Sequence, residues 1–136
     1  MGETGGGAYA RTFTPETCDY TTLRQELGDW LETFGVERVT VEDWRLILTE
    51  LATNACESTP ASGEITCVAT CANNRIDLTV SNPVKEPATI HPAPRFDPTS
   101  ERGGGLFIVD AIVHGITYDI DNDSVTIRCW TPVERY

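Results

Sequence analysis

The sequence predicts an α/β (α+β) two-layer sandwich, with a mixed, mostly antiparallel sheet and its helices on one face. Three observations predict it. Two long stretches carry apolar residues at helical spacing, with no strand between them. Short segments of alternating apolar and polar residues pair off around Asn and Asp turns, as hairpins do. The 136 residues are enough for one hydrophobic core and not comfortably for two. The order reads β-α-α-β-β-loop-α-β-β, and helices laid against a hairpin-built sheet give two layers.

Residues 1–8, with three successive glycines, read as a flexible N-terminus, and residues 9–136 as one domain. Residues 8–14 alternate weakly and predict a short strand. Thr14-Pro15 reads as an N-cap followed by Pro at the first helical position. Tyr20, Leu23, Leu27, Trp30, Leu31 and Phe34 then keep helical spacing to Gly35, a residue suited to a C-terminal cap. This predicts a helix over 16–34. Thr40 to Asp43 has the form of a capping box. Trp44, Ile47, Leu48, Leu51, Ala52 and Ala55 follow as an amphipathic stripe, predicting a second helix over 41–58.

Residues 64–71 alternate, with Ile65, Cys67, Ala69 and Cys71 on one face. Ile76, Leu78 and Val80 alternate again beyond Asn73-Asn74, so the two segments form a hairpin. From Pro83 to Gly105 the chain is rich in proline, ends in three glycines and has little apolar period. A loop of this length inside a compact domain is usually functional. Leu106 to Val113 predicts a third helix. Residues 116–120 and 124–130 close the chain as a hairpin around Asp121-Asn122-Asp123.

Composition narrows the function. Asp and Glu number 21 against 10 Lys and Arg, giving a formal net charge of -11. Gripping nucleic acid or an anionic membrane needs a basic face, so neither is an expected partner. No apolar run is long enough to span a bilayer. The first residues lack a basic region and an apolar stretch, so no signal peptide is read and a cytoplasmic location is expected. The five cysteines are odd in number and scattered, and they read as small buried thiols rather than a zinc site.

Two constellations carry chemistry. Glu50, Asn54 and Ser58 are each four apart along the edge of the second helix stripe, so they share one side. A carboxylate and an amide there suit a hydrated Mg2+, which takes oxygen ligands and is shared with substrate phosphates. The same spacing also fits plain solvated helix positions. Arg102-Gly103-Gly104-Gly105-Leu106 opens the third helix. Glycines let backbone N–H groups approach a ligand, and a helix N-terminus favours phosphate. In isolation the same glycines fit a simple hinge. Arg102 suits phosphate or a surface ion pair with Glu101. His91 and His114 have no neighbouring partners in sequence and read as surface residues.

Together these segments resemble a known family. Leu48 to Ala55 resembles the N-box of the GHKL ATPase and kinase superfamily, and Gly103 to Val109 resembles its second glycine box. Length, first strand and first helix look closest to the small anti-sigma factor serine kinases of the RsbW and SpoIIAB type. The resemblance spans roughly residues 9–132 and implies the Bergerat ATP-binding fold. It implies ATP and Mg2+ as cofactors, with Asn54 as a magnesium ligand and Glu50 as general base. Gly103, Gly104, Gly105 and Leu106, with Arg102, would wrap the phosphates beneath a lid of about residues 84–102. Phosphoryl transfer needs mainly positioning and charge neutralisation, so such a set is chemically sufficient.

The resemblance breaks at the first glycine box. Ser81-Asn82-Pro83-Val84 stands where the family has Asp-x-Gly-x-Gly, placing Asn82 at the adenine-reading position. A neutral acceptor weakens that hydrogen bond by about 1 kcal/mol. Ser58 stands where the family often has His, and Ser124 or Thr126 would supply the adenine-side hydroxyl of the last hairpin. The implied function is an ATP-dependent protein-serine kinase that phosphorylates a STAS-domain anti-sigma antagonist and sequesters a sigma factor. The alternative is a non-catalytic binding module with a degenerate nucleotide pocket. Family members of this size often dimerise, and Tyr20, Trp30 and Phe34 offer apolar surface for a homodimer.

Overall fold

The computed structural model describes residues 7–84, 103–121 and 123–133. Among these described residues, five strands and three helices follow in the order β1 (Ala8–Phe13), α1 (Tyr20–Glu32), α2 (Arg38–Ser58), β2 (Ile65–Ala72), β3 (Arg75–Pro83), α3 (Gly103–Ile112), β4 (Gly115–Ile120) and β5 (Ser124–Pro132). One sheet holds the strands in the order β1-β2-β3-β5-β4. All four neighbouring pairs are antiparallel, so the expected mixed character is absent among the described strands. The chain passes through α3 and β4 before β5, which lets β5 return antiparallel beside β3.

Strand alternation separates the two faces of the sheet. Ile65, Cys67, Ala69 and Cys71 of β2, Ile76, Leu78 and Val80 of β3, and Val125, Ile127 and Cys129 of β5 are all buried. The register sets Cys67 opposite Val80 and Leu78 opposite Cys129, so one apolar face is continuous across three strands. Leu23, Leu27 and Leu31 of α1, and Trp44, Ile47, Leu48, Leu51 and Ala55 of α2, close the core from the helical side. The indole Nε1 of Trp44 donates to Thr131 Oγ1 at 3.1 Å inside that core, tying α2 to β5. The opposite face of the sheet is polar. There the Arg75 guanidinium lies 4.4 Å from the Trp130 ring centre and pairs with Asp77 at 2.8 Å. No described helix is long and apolar enough to cross a membrane.

Turn chemistry follows the sequence. Asn73 and Asn74 both take positive φ, 56° and 61°, in a two-residue turn of the kind that matches strand twist. Gly35 takes φ 74° after α1, a conformation in which a side chain is disfavoured.

Helix starts differ from the expectation. Thr14 to Thr17 forms a separate turn, with Thr17 N donating to Thr14 O at 3.0 Å. α1 begins only at Tyr20. Its cap is Asp19, whose carboxylate accepts from Thr22 N at 3.1 Å and Thr22 Oγ1 at 2.9 Å. A carboxylate is a stronger acceptor for an N-terminal N–H than the Thr14 hydroxyl. α2 begins at Arg38, and Thr40 is buried within its first turns instead of capping them. α3 takes in the three glycines, starting at Gly103 instead of Leu106. Glycine can take the right-handed helical conformation, at an entropic cost of about 0.5–1 kcal/mol relative to Ala, and the fully buried Val109 anchors the helix. Ala8, where the sequence sets both the end of the N-terminal stretch and the start of the first strand, is the first residue of β1 and pairs with Thr70.

Candidate functional site

Helix α2 presents two flanks beside its buried stripe. Arg45 Nε donates to Arg24 O at 3.2 Å, and Arg24 reaches Thr49 Oγ1 at 3.4 Å, so Arg45 and Thr49 face α1. Asp43 lies on the other flank, lining a small cavity with Ile112 and His114 at the end of α3. Burial there pushes the Asp43 carboxyl above its ordinary value. Glu50 lies two turns along from Asp43, so it shares that flank, and Asn54 lies one turn further. Both are half-buried. The helix thus turns its carboxylate and amide away from α1, toward the side where α3 packs. Its apolar stripe produces this: burying Trp44, Ile47, Leu51 and Ala55 against the sheet leaves positions 50 and 54 at the border.

Asn82 joins this border from the sheet. It is at an inward-facing position near the end of β3 and is only 5% exposed. Its amide nitrogen donates to Ser58 Oγ at 3.1 Å and to Pro83 O at 3.0 Å. Ser58 Oγ in turn donates to Asn54 O at 3.2 Å and to Ala55 O at 3.3 Å. One hydroxyl therefore clasps the end of β3 to the last turn of α2, next to Asn54. With the amide nitrogen turned inward, the acceptor oxygen is what the Asn82 amide has left for a ligand.

Thr126 is placed differently. It pairs with Ser81 in the β3–β5 register, and the two hydroxyls are 3.1 Å apart on the polar face of the sheet. Val125, not Thr126, stands opposite Asn82. Ser124 has the same parity as Thr126. The side chains of Thr126 and Asn82 point to opposite faces and share only the rim of an open cavity of about 460 Å³ at the strand ends. The register therefore sets these two side chains on opposite faces of the sheet at the strand ends.

Gly103, Gly104 and Gly105 form the first turn of α3, and Leu106 continues it. Ten residues of helix rise about 15 Å. Arg102, His91 and the expected lid beyond Val84 lie outside the described residues. Val84 itself is buried, and its N–H donates to Asp123 O at 3.0 Å. His114 is exposed and lies against Trp130, ring centres 5.8 Å apart. Cys67, Cys71 and Cys129 are buried as expected, whereas Cys18 and Cys56 are half-buried. Among the described residues, no three His, Cys, Asp or Glu side chains are grouped to hold a metal on their own. An ion shared with substrate phosphates needs fewer protein ligands, and the oxygen donors of Glu50 and Asn54 fit Mg2+ in that way. The Ser58–Asn82 clasp had no sequence signal beyond the unusual residue at each position.

Comparison with known proteins agrees with this architecture. The fold is similar to the crystal structure of the RsbU and RsbW domains of Rv1364c from Mycobacterium tuberculosis. That match has 18% identity and a TM-score of 0.71, and covers 96% of this chain and 33% of that one. This chain thus spans about a third of that protein's length. The fold is also similar to the catalytic domain of the histidine kinase ThkA, with 15% identity, a TM-score of 0.56, and coverage of 91% and 97%. Among curated proteins none matches significantly. Residues 13–129 match the profile of the histidine kinase-like ATPase domain. With that match over most of its length and an antiparallel sheet covered by helices on one face, the chain belongs to the histidine kinase-like ATPase domain family and has the Bergerat fold.

Proposed function

We propose that the chain is an ATP- and Mg2+-dependent protein-serine kinase of the RsbW type. Its substrate would be a STAS-domain anti-sigma antagonist, and its second partner a sigma factor that it sequesters. The observation that carries this reading is the Glu50–Asn54 pair, one turn apart on the flank of α2 that faces α3. Helices α2 and α3 pack against each other, with Asp43 beside Ile112 at the end of α3, and the Gly103–Gly105 turn opens that same helix, which supports grouping it with the pair. Likeness to the RsbW domain supports the choice of branch.

In this reading Glu50 accepts the proton of the substrate serine hydroxyl as its oxygen attacks the γ-phosphorus of ATP, and ADP leaves. The Asn54 side-chain oxygen provides a ligand for Mg2+, which when bound neutralises phosphate charge. The N–H groups of the Gly103–Gly105 turn, together with Arg102, hold the phosphates. Asn82 offers its oxygen to the adenine amino group. The chain would act in the cytoplasm as a homodimer.

A second reading is favoured by one observation. Asn82-Pro83 replaces the charged, glycine-flanked box, and its amide nitrogen is engaged by Ser58 and Pro83 O. A non-catalytic binding module would keep the fold and lose tight ATP binding. Calorimetric titration with ATP and Mg2+, followed by phosphotransfer to a STAS-domain protein, separates the two. Micromolar binding with transfer that Glu50→Gln abolishes supports the kinase. No heat of binding at millimolar ATP refutes it.

A further inference from the structure

A cavity of about 120 Å³ lies where the start of α2, the end of α3 and the end of β5 meet, and Thr40, Asp43, Thr131 and His114 line it. Thr40, Asp43 and Trp44 stand at positions i, i+3 and i+4 of α2, so they share the face that closes it. Thr40 and Thr131 are only 7% and 8% exposed, and Asp43 is half-buried. Among the described residues nothing bonds the Thr40 hydroxyl or the Asp43 carboxylate. Thr131 Oγ1 accepts the indole N–H of Trp44 at 3.1 Å, which leaves its second lone pair open. The cavity is at the opposite end of α3 from the Gly103–Gly105 turn, so it is separate from the proposed nucleotide site.

We infer that this cavity binds a primary alkylammonium group, whose three N–H donors are shared among the Asp43 carboxylate, Thr40 Oγ1 and Thr131 Oγ1. Buried polar groups in folded proteins are nearly always paired, and an unpaired carboxylate beside an unpaired hydroxyl carries a desolvation cost that a matched donor offsets. The charge selects a cation: among the described residues neither Lys nor Arg lines the wall, and Asp43 does. Burial alone pushes the Asp43 carboxyl above its ordinary value, and an opposite charge beside it relieves the same cost. A neutral His114 imidazole adds a further acceptor to the wall.

Size and lining choose among cations. Trp44 and Ile112 make part of the wall apolar, which suits an alkyl chain better than a shell of waters. Mg2+ keeps several waters and demands octahedral oxygen ligands, so it fits poorly here. A cavity of roughly 150 Å³ admits a molecule the size of benzene, so 120 Å³ admits a chain of about four carbons behind the nitrogen. Two helix ends meet at the site, the start of α2 and the end of α3, each equivalent to about half a charge and opposite in sign. They offset each other, and the full charge of Asp43 decides. A ligand held by all three oxygens ties β5 to α2 beside the Trp44–Thr131 bond.

The test uses the full chain, isotopically labelled and titrated with n-butylammonium chloride under heteronuclear NMR. The Trp44 indole N–H reports locally, because its acceptor is one of the three oxygens. Saturating shifts are expected there and at the amides of Thr40, Asp43 and His114, with half-saturation at millimolar probe. n-Butanol and sodium chloride at matched concentrations leave these resonances in place. Asp43→Asn keeps the side-chain shape and weakens binding about tenfold or more, the loss of a charge-assisted bond. Thr40→Val weakens it several-fold, and both variants keep the dispersed spectrum of the folded chain. Nα-acetyl-lysine amide is a second probe. Saturation by both probes supports a site that also takes a lysine side chain of a partner, and saturation by n-butylammonium alone supports a site for a free small amine. Equal shifts with n-butanol, undiminished binding by Asp43→Asn, or shifts that stay linear in probe concentration would overturn the inference.

Discussion

Replacing Asn82 by Asp probes the clasp that holds the end of β3 against α2. The substitution keeps the shape of the side chain and removes its N–H donors. Two hydrogen bonds are lost, to Ser58 Oγ at 3.1 Å and to Pro83 O at 3.0 Å. In a position only 5% exposed, the new carboxylate faces the Pro83 carbonyl without a proton between them. Leaving a buried polar group unpaired costs about 1–3 kcal/mol. Rotation of the Ser58 hydroxyl toward the carboxylate recovers part of that, at the expense of its bonds to Asn54 O and Ala55 O. The net loss is about 2 kcal/mol, or roughly 5–10 °C in Tm for a domain of this size.

The sign with pH follows from the same contacts. Burial and the facing carbonyl oppose ionisation, so the introduced carboxyl titrates higher in the folded chain than in the unfolded one. Its protonated form regains a donor for Pro83 O. The variant therefore keeps its stability below the unfolded carboxyl pKa, about 3.9, and loses it as pH rises through the folded value. Thermal unfolding of variant and wild type, followed by circular dichroism from pH 4 to pH 8, measures the difference. A gap that widens with pH is expected. A gap that is absent, or constant across the range, refutes the assignment of the Asn82 amide nitrogen to Ser58 and Pro83.

Three further outcomes are expected. Asn54→Ala abolishes Mg2+-dependent ATP binding in calorimetry with an unchanged circular dichroism spectrum, because Ser58 bonds to the backbone oxygen of residue 54 and not to its side chain; retained affinity would remove Asn54 from the metal site. Trp44→Phe deletes the buried bond to Thr131 Oγ1 and lowers stability by about 1–3 kcal/mol in urea denaturation, while Thr131→Val combined with it adds little, since both substitutions remove one interaction. Asp19→Ala lowers Tm at neutral pH. The two bonds from Thr22 hold the Asp19 carboxyl below its ordinary value, so its contribution is present above the unfolded pKa and vanishes as pH falls through the folded one; a Tm difference that persists in strong acid would argue against the cap.

Much of the fold was legible because its signals are local. The stripe from Trp44 to Ala55 spans one helix and announces the buried face without knowledge of any partner. The alternation of Cys67, Ala69 and Cys71 likewise tells which side of β2 is buried, and Asn73-Asn74 marks the turn. The Glu50–Asn54 pair follows from the same helical period, which put both residues at the stripe's edge before their neighbours were known. Helix starts were less legible, because Thr14 and Asp19 are both competent caps. The choice falls to the carboxylate, which binds two groups of Thr22.

What the sequence by itself determined is what lies within a few residues along the chain: element type, inward face, turn chemistry and the one-turn spacing of Glu50 and Asn54. Tertiary structure alone decided which distant residues meet. Asn82 and Ser58 are far apart in sequence, and Trp44 and Thr131 further still. Their contacts exist because packing of the sheet against α2 brings those segments together. Thr126 shows the same limit from the other side. As a hydroxyl near the chain's end it was a fair candidate for the nucleotide, yet its face depends on a register in which a shift by one residue reverses every side chain. No local pattern carries that register; it is set by burying Val125, Ile127 and Cys129 against the helices, and this leaves Thr126 on the polar face beside Ser81.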